Sequence, residues 1–244
     1  MKQGYDVFGH PWGVMMRNDV HAPGSVDHAL MENMILLDDE TRGLLYGGVP
    51  AAPRLPGHPL AALAESLRGE EDRESIGNAL RYTSRIAAEY DVPFRDMRFG
   101  GREEEVLARG TDWCADMARV GAVLLMLLGI PARILHLADL SHAYYGHVVT
   151  EAYYEGKWGV CDFLHGYLFY GNAPLDAWEL RTDAAHFAGY PADYAALYSA
   201  VAVSGYDPSA ETRYQISRPN EYTCRIIETD HGGRWFMGED GYSE

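Results

Sequence analysis

Cysteine is scarce in this chain. The 244 residues include three cysteines, Cys114, Cys161 and Cys224. The number is odd and no two of them are closely spaced, which fits neither a disulfide framework nor a structural zinc site. We therefore expect three reduced thiols, each available for packing or for chemistry.

Basic residues are also in short supply. Lysine and arginine total 20 against 36 aspartates and glutamates, so the formal net charge is −16. A strongly acidic chain without a basic cluster repels the phosphate backbone of DNA and RNA. Nucleic acid is therefore not an expected partner.

Long apolar runs, export signals and metal-ligand motifs are absent from the sequence. Hydrophobic residues make up 47%, yet no uninterrupted stretch is long enough to cross a bilayer. Residues 1–6 lack the basic and apolar regions of a secretory signal. None of the ten histidines stands four residues from another, the helical spacing of many zinc sites. We expect a cytoplasmic protein with no membrane partner, no metal and no cofactor.

Cys114 stands at the start of the most apolar stretch of the chain. Residues 114–128 are predicted to form a buried helix, with Thr111 or Asp112 as its N-terminal cap and Gly129 at its end. A thiol in the first turn lies at the positive end of the helix dipole, which favours the thiolate. Cys114 is therefore a candidate nucleophile whose backbone N–H could stabilise an oxyanion, while Asp116 is expected to face away from the thiol.

A predicted hairpin supplies a base and a carboxylate. The β-rich runs 146–154 and 157–163 are separated by two residues, the length of a tight turn. If residue 154 pairs with 157, His147 and Asp162 become diagonal neighbours on one face of the hairpin, within reach of a hydrogen bond. Cys161 then points to the other face, so the thiol of the site is that of Cys114.

Two alternatives to an Asp162–His147 pair follow from the sequence. Asp162 stands at the end of a predicted strand, where its side chain could instead cap the following turn. Glu151 is predicted to lie on the same face as His147 and is the rival partner of the imidazole.

The helix from Trp113-Cys114, the Gly-Ile-Pro-Ala-Arg segment at 129–133 and the strands around His147 and Asp162 resemble the transglutaminase-like core of papain-type thiol enzymes, in its compact microbial form. The resemblance covers about residues 102–170. It implies an α+β fold in which the nucleophile helix packs on an antiparallel β-sheet, with extra helices at both ends. It also implies a catalytic triad.

In that triad Cys114 would be the nucleophile, His147 the base and Asp162 the orienting acid. The expected reaction is acyl transfer or hydrolysis through a thioester on a peptide, amide or small acyl substrate, as in cysteine proteases, amidases and acyltransferases. Two alternatives remain. One is an arylamine-acetyltransferase-like enzyme; the other is a non-catalytic binding protein that keeps the fold.

We expect residues 1–244 to form a single domain. It comprises a mainly helical part at 1–101, the catalytic core at 102–170 and a helical, tyrosine-rich extension at 171–244. Helical spacing of apolar residues predicts the helices of the two outer parts, at 25–38, 59–67, 71–90, 174–180 and 192–203.

Overall fold

The computed structural model describes residues 34–51, 53–141, 146–208 and residue 218. In these ranges the α-helices are Arg42–Tyr46 (α1), Ala61–Ser66 (α2), Asp72–Glu89 (α3), Glu103–Arg109 (α4), Cys114–Leu127 (α5) and Ala177–Thr182 (α6). Short 3₁₀ segments lie at Phe94–Asp96, Ala184–Phe187 and Tyr194–Ser199. None of these helices combines the length and apolar character that crossing a membrane requires.

One antiparallel sheet organises these helices. Its strands are Ile35–Leu36 (β1), Ala132–Ala138 (β2), Gly146–Tyr154 (β3), Lys157–Asp162 (β4), Tyr167–Leu168 (β5) and Ala200–Ser204 (β6). Across the sheet the order is β1-β6-β2-β3-β4-β5, and each neighbouring pair is antiparallel. The predicted α+β class with a helix packed on an antiparallel sheet is confirmed.

Helix α5 packs on one face of this sheet and is buried along almost its whole length. Thr150 of β3 donates a hydrogen bond from Oγ1 to the carbonyl of Ala118, 2.9 Å away. A Cβ atom at Gly121 would lie 2.2 Å from the ring of Phe163, so α5 approaches the chain just after β4 more closely than any side chain at 121 permits. These contacts fix the position of the helix relative to the hairpin.

The two ends of α5 differ in how well they were predicted. The helix ends as expected, because Gly129 has a φ of 86° and Ile130 donates its N–H to the carbonyl of Leu125. The predicted caps are wrong, since the N-cap residue is Trp113 and it makes no side-chain capping bond. Thr111 instead accepts a hydrogen bond from the Trp113 N–H at 3.0 Å, which shapes the turn before the helix.

The other face of the sheet is covered by α6 and the 3₁₀ segments at Ala184–Phe187 and Tyr194–Ser199. Strand residues that alternate with those facing α5 contribute to this second core, namely Leu135, Leu137, Val149, Val160, Val201 and Val203. Aromatic side chains fill the space above them, among them Phe169, Phe187, Tyr194 and Tyr198.

Two predicted helices are corrected by the sheet. Residues 200–204 form β6, which lies between β1 and β2, rather than the end of a helix at 192–203. Their Ala-Val-Ala-Val pattern has period two, since Val201 and Val203 enter one core while Ala200 and Ala202 enter the other. The predicted helix at 25–38 lies mostly outside the described residues, and Ile35–Leu36 in it is the edge strand β1. The C-terminal extension is therefore only partly helical.

Candidate active site

The hairpin of β3 and β4 has the predicted register. Tyr154 pairs with Lys157, Tyr153 with Trp158 and Glu151 with Val160. The turn between the strands has positive φ angles at both central residues, 51° at Glu155 and 78° at Gly156. This is the geometry of the two-residue turns that match the twist of a hairpin. The parity of the two strands therefore places His147 and Asp162 on the same face.

His147 and Asp162 are joined directly. Nε2 of His147 lies 2.8 Å from Oδ2 of Asp162, and both side chains are buried. An ionised carboxylate only accepts hydrogen bonds, so the imidazole donates its Nε2–H to Asp162. The carboxylate thereby fixes the orientation of the ring and leaves Nδ1 as the other functional nitrogen.

The thiol of Cys114 meets this ring. Cys114 is close enough to His147 to contribute to the raised pKa of the imidazole, and because Nε2 faces Asp162, Nδ1 is the ring nitrogen left for the sulfur. Thr150 bonds α5, so by alternation His147 lies on the face turned away from that helix. Cys114 is the first residue of α5 and His147 the second of β3, and the two side chains meet at the end of the sheet.

The Asp162 carboxylate has donors on both oxygens. Oδ1 accepts the backbone N–H groups of Leu164 at 2.9 Å and His165 at 3.1 Å. Oδ2 accepts His147 Nε2 and His165 Nδ1, each at 2.8 Å, and the hydroxyl of Tyr194. The two roles considered for Asp162 are thus compatible, because one oxygen caps the turn after β4 while the other binds the imidazole.

The electrostatics of the pair favour charge separation. Burial alone would lower the pKa of His147, but the negative charge of Asp162 and the hydrogen bonds to Asp162 and Cys114 raise it from 6.5 to about 10. Burial would likewise raise the pKa of Asp162, and its contacts with His147 and His165 hold it far below the usual range. The site therefore favours a protonated imidazole between a carboxylate and the thiol.

The alternative carboxylate, Glu151, and the second described thiol, Cys161, do not contact the His147 ring. Glu151 lies on the same face as His147, but its Oε2 is 2.7 Å from Nε of Arg133 and its Oε1 accepts hydrogen bonds from Tyr46 and the Ala177 N–H. Cys161 is fully buried opposite Thr150 on the α5 side, and burial raises the pKa of its thiol well above the usual value. Cys224 lies outside the described residues.

An ion-pair network supports the turn that carries the nucleophile. Asp116, which was expected to face away from the thiol, is completely buried and binds Arg109 at 2.7 Å. It also accepts the Gly100 N–H at 3.0 Å and lies 3.4 Å from Arg119. Burial raises the pKa of Asp116 despite these partners. The carboxylate thus ties the start of α5 to α4 and to the loop before it.

The Cys114 N–H fits the oxyanion role predicted for it. As the first residue of α5 it has no acceptor one turn earlier within the helix, so its N–H is not used by the helix itself, as an oxyanion donor requires.

Two groups of side chains are spaced closely enough to hold a cation. The donor atoms of His147, Asp162 and His165 lie within 4.8 Å of one another, as do those of His58, Glu103 and Glu104. In the first group both histidines already donate to one carboxylate oxygen. In the second, Glu103 is paired with Arg119 at 3.0 Å. The described contacts are therefore those of hydrogen-bonded networks.

His165 and Tyr194 are site residues that the sequence reasoning missed. His165 follows Asp162 by three residues, which is the spacing of a side chain that folds back over a turn, so a local signal existed. Tyr194 comes from the 3₁₀ segment on the second face, far along the chain, and reaches Asp162 only through the tertiary fold.

Comparison with known families agrees with this architecture. Residues 61–163 match the model of the transglutaminase-like superfamily. The match includes helices α2 and α3, which precede the region of resemblance at 102–170. Neither a curated protein nor a solved structure matches the chain.

Proposed function

We propose that this transglutaminase-like chain is a thiol enzyme that transfers or hydrolyses acyl groups through a thioester on Cys114. The observation that supports it is the buried His147 imidazole, held by Asp162 through Nε2 at 2.8 Å, with the Cys114 thiol near enough to contribute to its raised pKa. Nucleophile, base and orienting acid come from α5, β3 and β4, which are core elements. A nucleophile with an adjacent, oriented base is the arrangement that covalent catalysis requires.

In the first half-reaction the sulfur of Cys114 attacks the carbonyl carbon of an amide or ester. His147 holds the thiol proton, and the oxygen of the tetrahedral intermediate faces the Cys114 N–H. The bond to the leaving nitrogen or oxygen then breaks as the imidazolium donates its proton to that atom. The products are a free amine or alcohol and a thioester on Cys114.

In the second half-reaction the now neutral His147 removes a proton from an incoming water or amine. The incoming atom attacks the thioester carbon and the sulfur leaves as a thiolate, which restores its pair with the newly protonated His147. With water the product is a carboxylic acid; with an amine it is a new amide. Water is the default acceptor because it is always present, which makes hydrolysis the first reaction to test.

The test is a panel of peptide, amide and ester substrates incubated with the full chain, with products identified by mass spectrometry. Cys114→Ala should abolish turnover, and His147→Ala should reduce it on the order of 10³-fold. Cys161→Ala is the matched control. The sulfur of Cys161 lies on the opposite face, so its removal should leave the rate near that of wild type.

An electrophilic substrate analogue should add covalently to Cys114, as peptide mapping would show. Because no step requires a metal, a chelator should leave the rate unchanged. Turnover that persists in Cys114→Ala, or loss of activity on chelation that zinc restores, would overturn the proposed mechanism.

A further inference from the structure

The Asp162 carboxylate serves two histidines at once. The ring nitrogens Nε2 of His147 and Nδ1 of His165 each lie 2.8 Å from the same oxygen, Oδ2. The two rings are neighbours, with centroids 5.2 Å apart and planes tilted by 50°. One imidazole is buried against the thiol, whereas the other has 44% of its side chain exposed.

The turn after β4 holds the second histidine in place. The Gly166 N–H bonds the carbonyl of Asp162 at 2.8 Å, and Gly166 has a φ of 75°. A Cβ atom at Gly166 would lie 2.9 Å from the Ser84 hydroxyl oxygen of α3, so the turn needs glycine here for both space and conformation. The Thr83 hydroxyl, also from α3, donates to the carbonyl of Phe163 at 2.8 Å.

The ring of His165 is supported as well as its backbone. It stacks on Tyr167, with centroids 5.5 Å apart and an angle of 18° between the planes. It also meets Tyr194 edge to face at 6.2 Å. A surface histidine with two aromatic neighbours and a fixed backbone loses little further freedom when it bonds Oδ2. The contact with Asp162 is therefore preorganised.

We propose that His165 is a positioning residue for the reaction proposed above: by donating its Nδ1–H to Oδ2, it takes up part of the Asp162 charge and limits how tightly the carboxylate holds the His147 imidazolium. This inference rests on the proposed function. Without the His165 donor, Oδ2 would keep its bonds from His147 and Tyr194 but would hold the imidazolium proton more strongly, and an imidazolium held too strongly is a poor acid for the leaving group. His165 thus tunes the acid that ends the first half-reaction.

The Tyr194 hydroxyl also donates to Oδ2, but this bond is present beside that of His165 and does not take its place. Besides His165, the titratable groups close to Asp162 and the His147 ring in the described ranges are Cys114, Tyr194 and Tyr198. Burial raises the pKa values of Tyr194 and Tyr198 well above the usual value, so both hydroxyls stay neutral over the pH range in which His147 titrates. Cys161 lies on the opposite face.

The proposal can be tested without a substrate. Histidine-labelled full-length protein would be titrated by NMR from neutral to strongly alkaline pH, and the His147 signal assigned with a His147→Gln variant. His165→Leu removes the donor and should raise the titration midpoint of His147 by on the order of one unit. His165→Asn keeps an N–H near the position of Nδ1 and should restore the wild-type midpoint.

His186→Leu is the matched control, because His186 also stands three residues after an aspartate, Asp183, and faces it at 3.9 Å without touching Asp162. It should leave the His147 midpoint unchanged. His165→Ala provides a second donor-free variant should leucine disturb the turn.

A His147 midpoint that stays at the wild-type value or falls in the donor-free variants would overturn the role of His165. Once a substrate is known, His165→Leu should lower kcat more than it changes KM, and His165→Asn should recover most of the loss. If the midpoint moves as expected but no substrate is turned over, the proposed function fails while the charge sharing at Asp162 stands.

Discussion

Replacing Asp162 by asparagine should remove most of what keeps His147 protonated. The pKa of His147 is raised from 6.5 to about 10, and the Asp162 charge is the largest raising influence. A rise of about 3.5 units corresponds to about 5 kcal/mol in favour of the charged ring. Burial acts in the opposite direction, so without the carboxylate charge we expect the midpoint of His147 to fall below 6.5.

Two measurements check this expectation. NMR titration of the imidazole gives the midpoint directly in wild type and Asp162→Asn. With an identified substrate, turnover at neutral pH should fall by on the order of 10²-fold or more, because the ring loses both its orientation and its proton. The rate profile of wild type should show an alkaline limb well above the pH at which an ordinary histidine titrates.

Asp176→Asn is the control for the loss of a carboxylate. Asp176 caps α6 by accepting the Glu179 N–H at 2.9 Å, and asparagine is an equally good cap. It makes no contact with the imidazole among the described interactions, so the His147 midpoint should not change. If Asp162→Asn kept the wild-type midpoint in a folded protein, the electrostatic account of the site would be refuted.

Three further predictions concern other parts of the chain. Iodoacetamide should label Cys114 faster than Cys161 or Cys224 at neutral pH, and peptide mapping that found either of the others labelled first would contradict the choice of nucleophile. Burial lowers the pKa of His136 from 6.5 to about 3. Between these two pH values the unfolded chain binds a proton at His136 and the folded chain does not, so the folded state loses stability as the pH falls from 6.5 towards 3. Between pH 6.5 and about pH 5 this loss amounts to about 2 kcal/mol; denaturant unfolding of wild type and His136→Gln should differ in slope against pH, and equal slopes would contradict it. Gly121→Ala should destabilise the protein by about 1–3 kcal/mol, since its Cβ would lie 2.2 Å from the Phe163 ring; an unchanged denaturation midpoint would mean that helix and turn separate easily.

The hairpin could be predicted because its information is local. A two-residue turn with Gly156 fixes the register, and a period of two then assigns each side chain to a face. Parity could not decide between Glu151 and Asp162, since both lie on the face of His147. Glu151 is instead bound by Arg133, which leaves Asp162 as the partner of His147. Arg133 is positioned by a second bond from its Nη1 to the Leu45 carbonyl at 2.6 Å, a contact between distant parts of the chain.

Strand β6 could not be predicted with the same means. Its short alanine and valine run satisfies a helical pattern as well as an alternating one, and periodicity alone does not separate the two. The decision comes from its partners, β2 and β1, which offer unpaired edges on either side. The first residue of α5 was predicted correctly but its cap was not, because Thr111 bonds the Trp113 N–H in the turn before the helix instead of capping it.

The position of the site follows from how the two cores share the sheet. Along β3 and β4, Thr150 and Cys161 face α5, whereas His147 and Asp162 face the segment that carries Tyr194. The proposed nucleophile and its proposed base thus belong to opposite faces, and their side chains can approach each other only at the end of the sheet, where α5 and β3 both begin. The first residue of a helix also offers the free N–H that an oxyanion needs. In the proposed mechanism, a thiol at this position lets one residue supply both the nucleophile and the electrostatic stabilisation of the intermediate, while the buried carboxylate on the other face controls the proton.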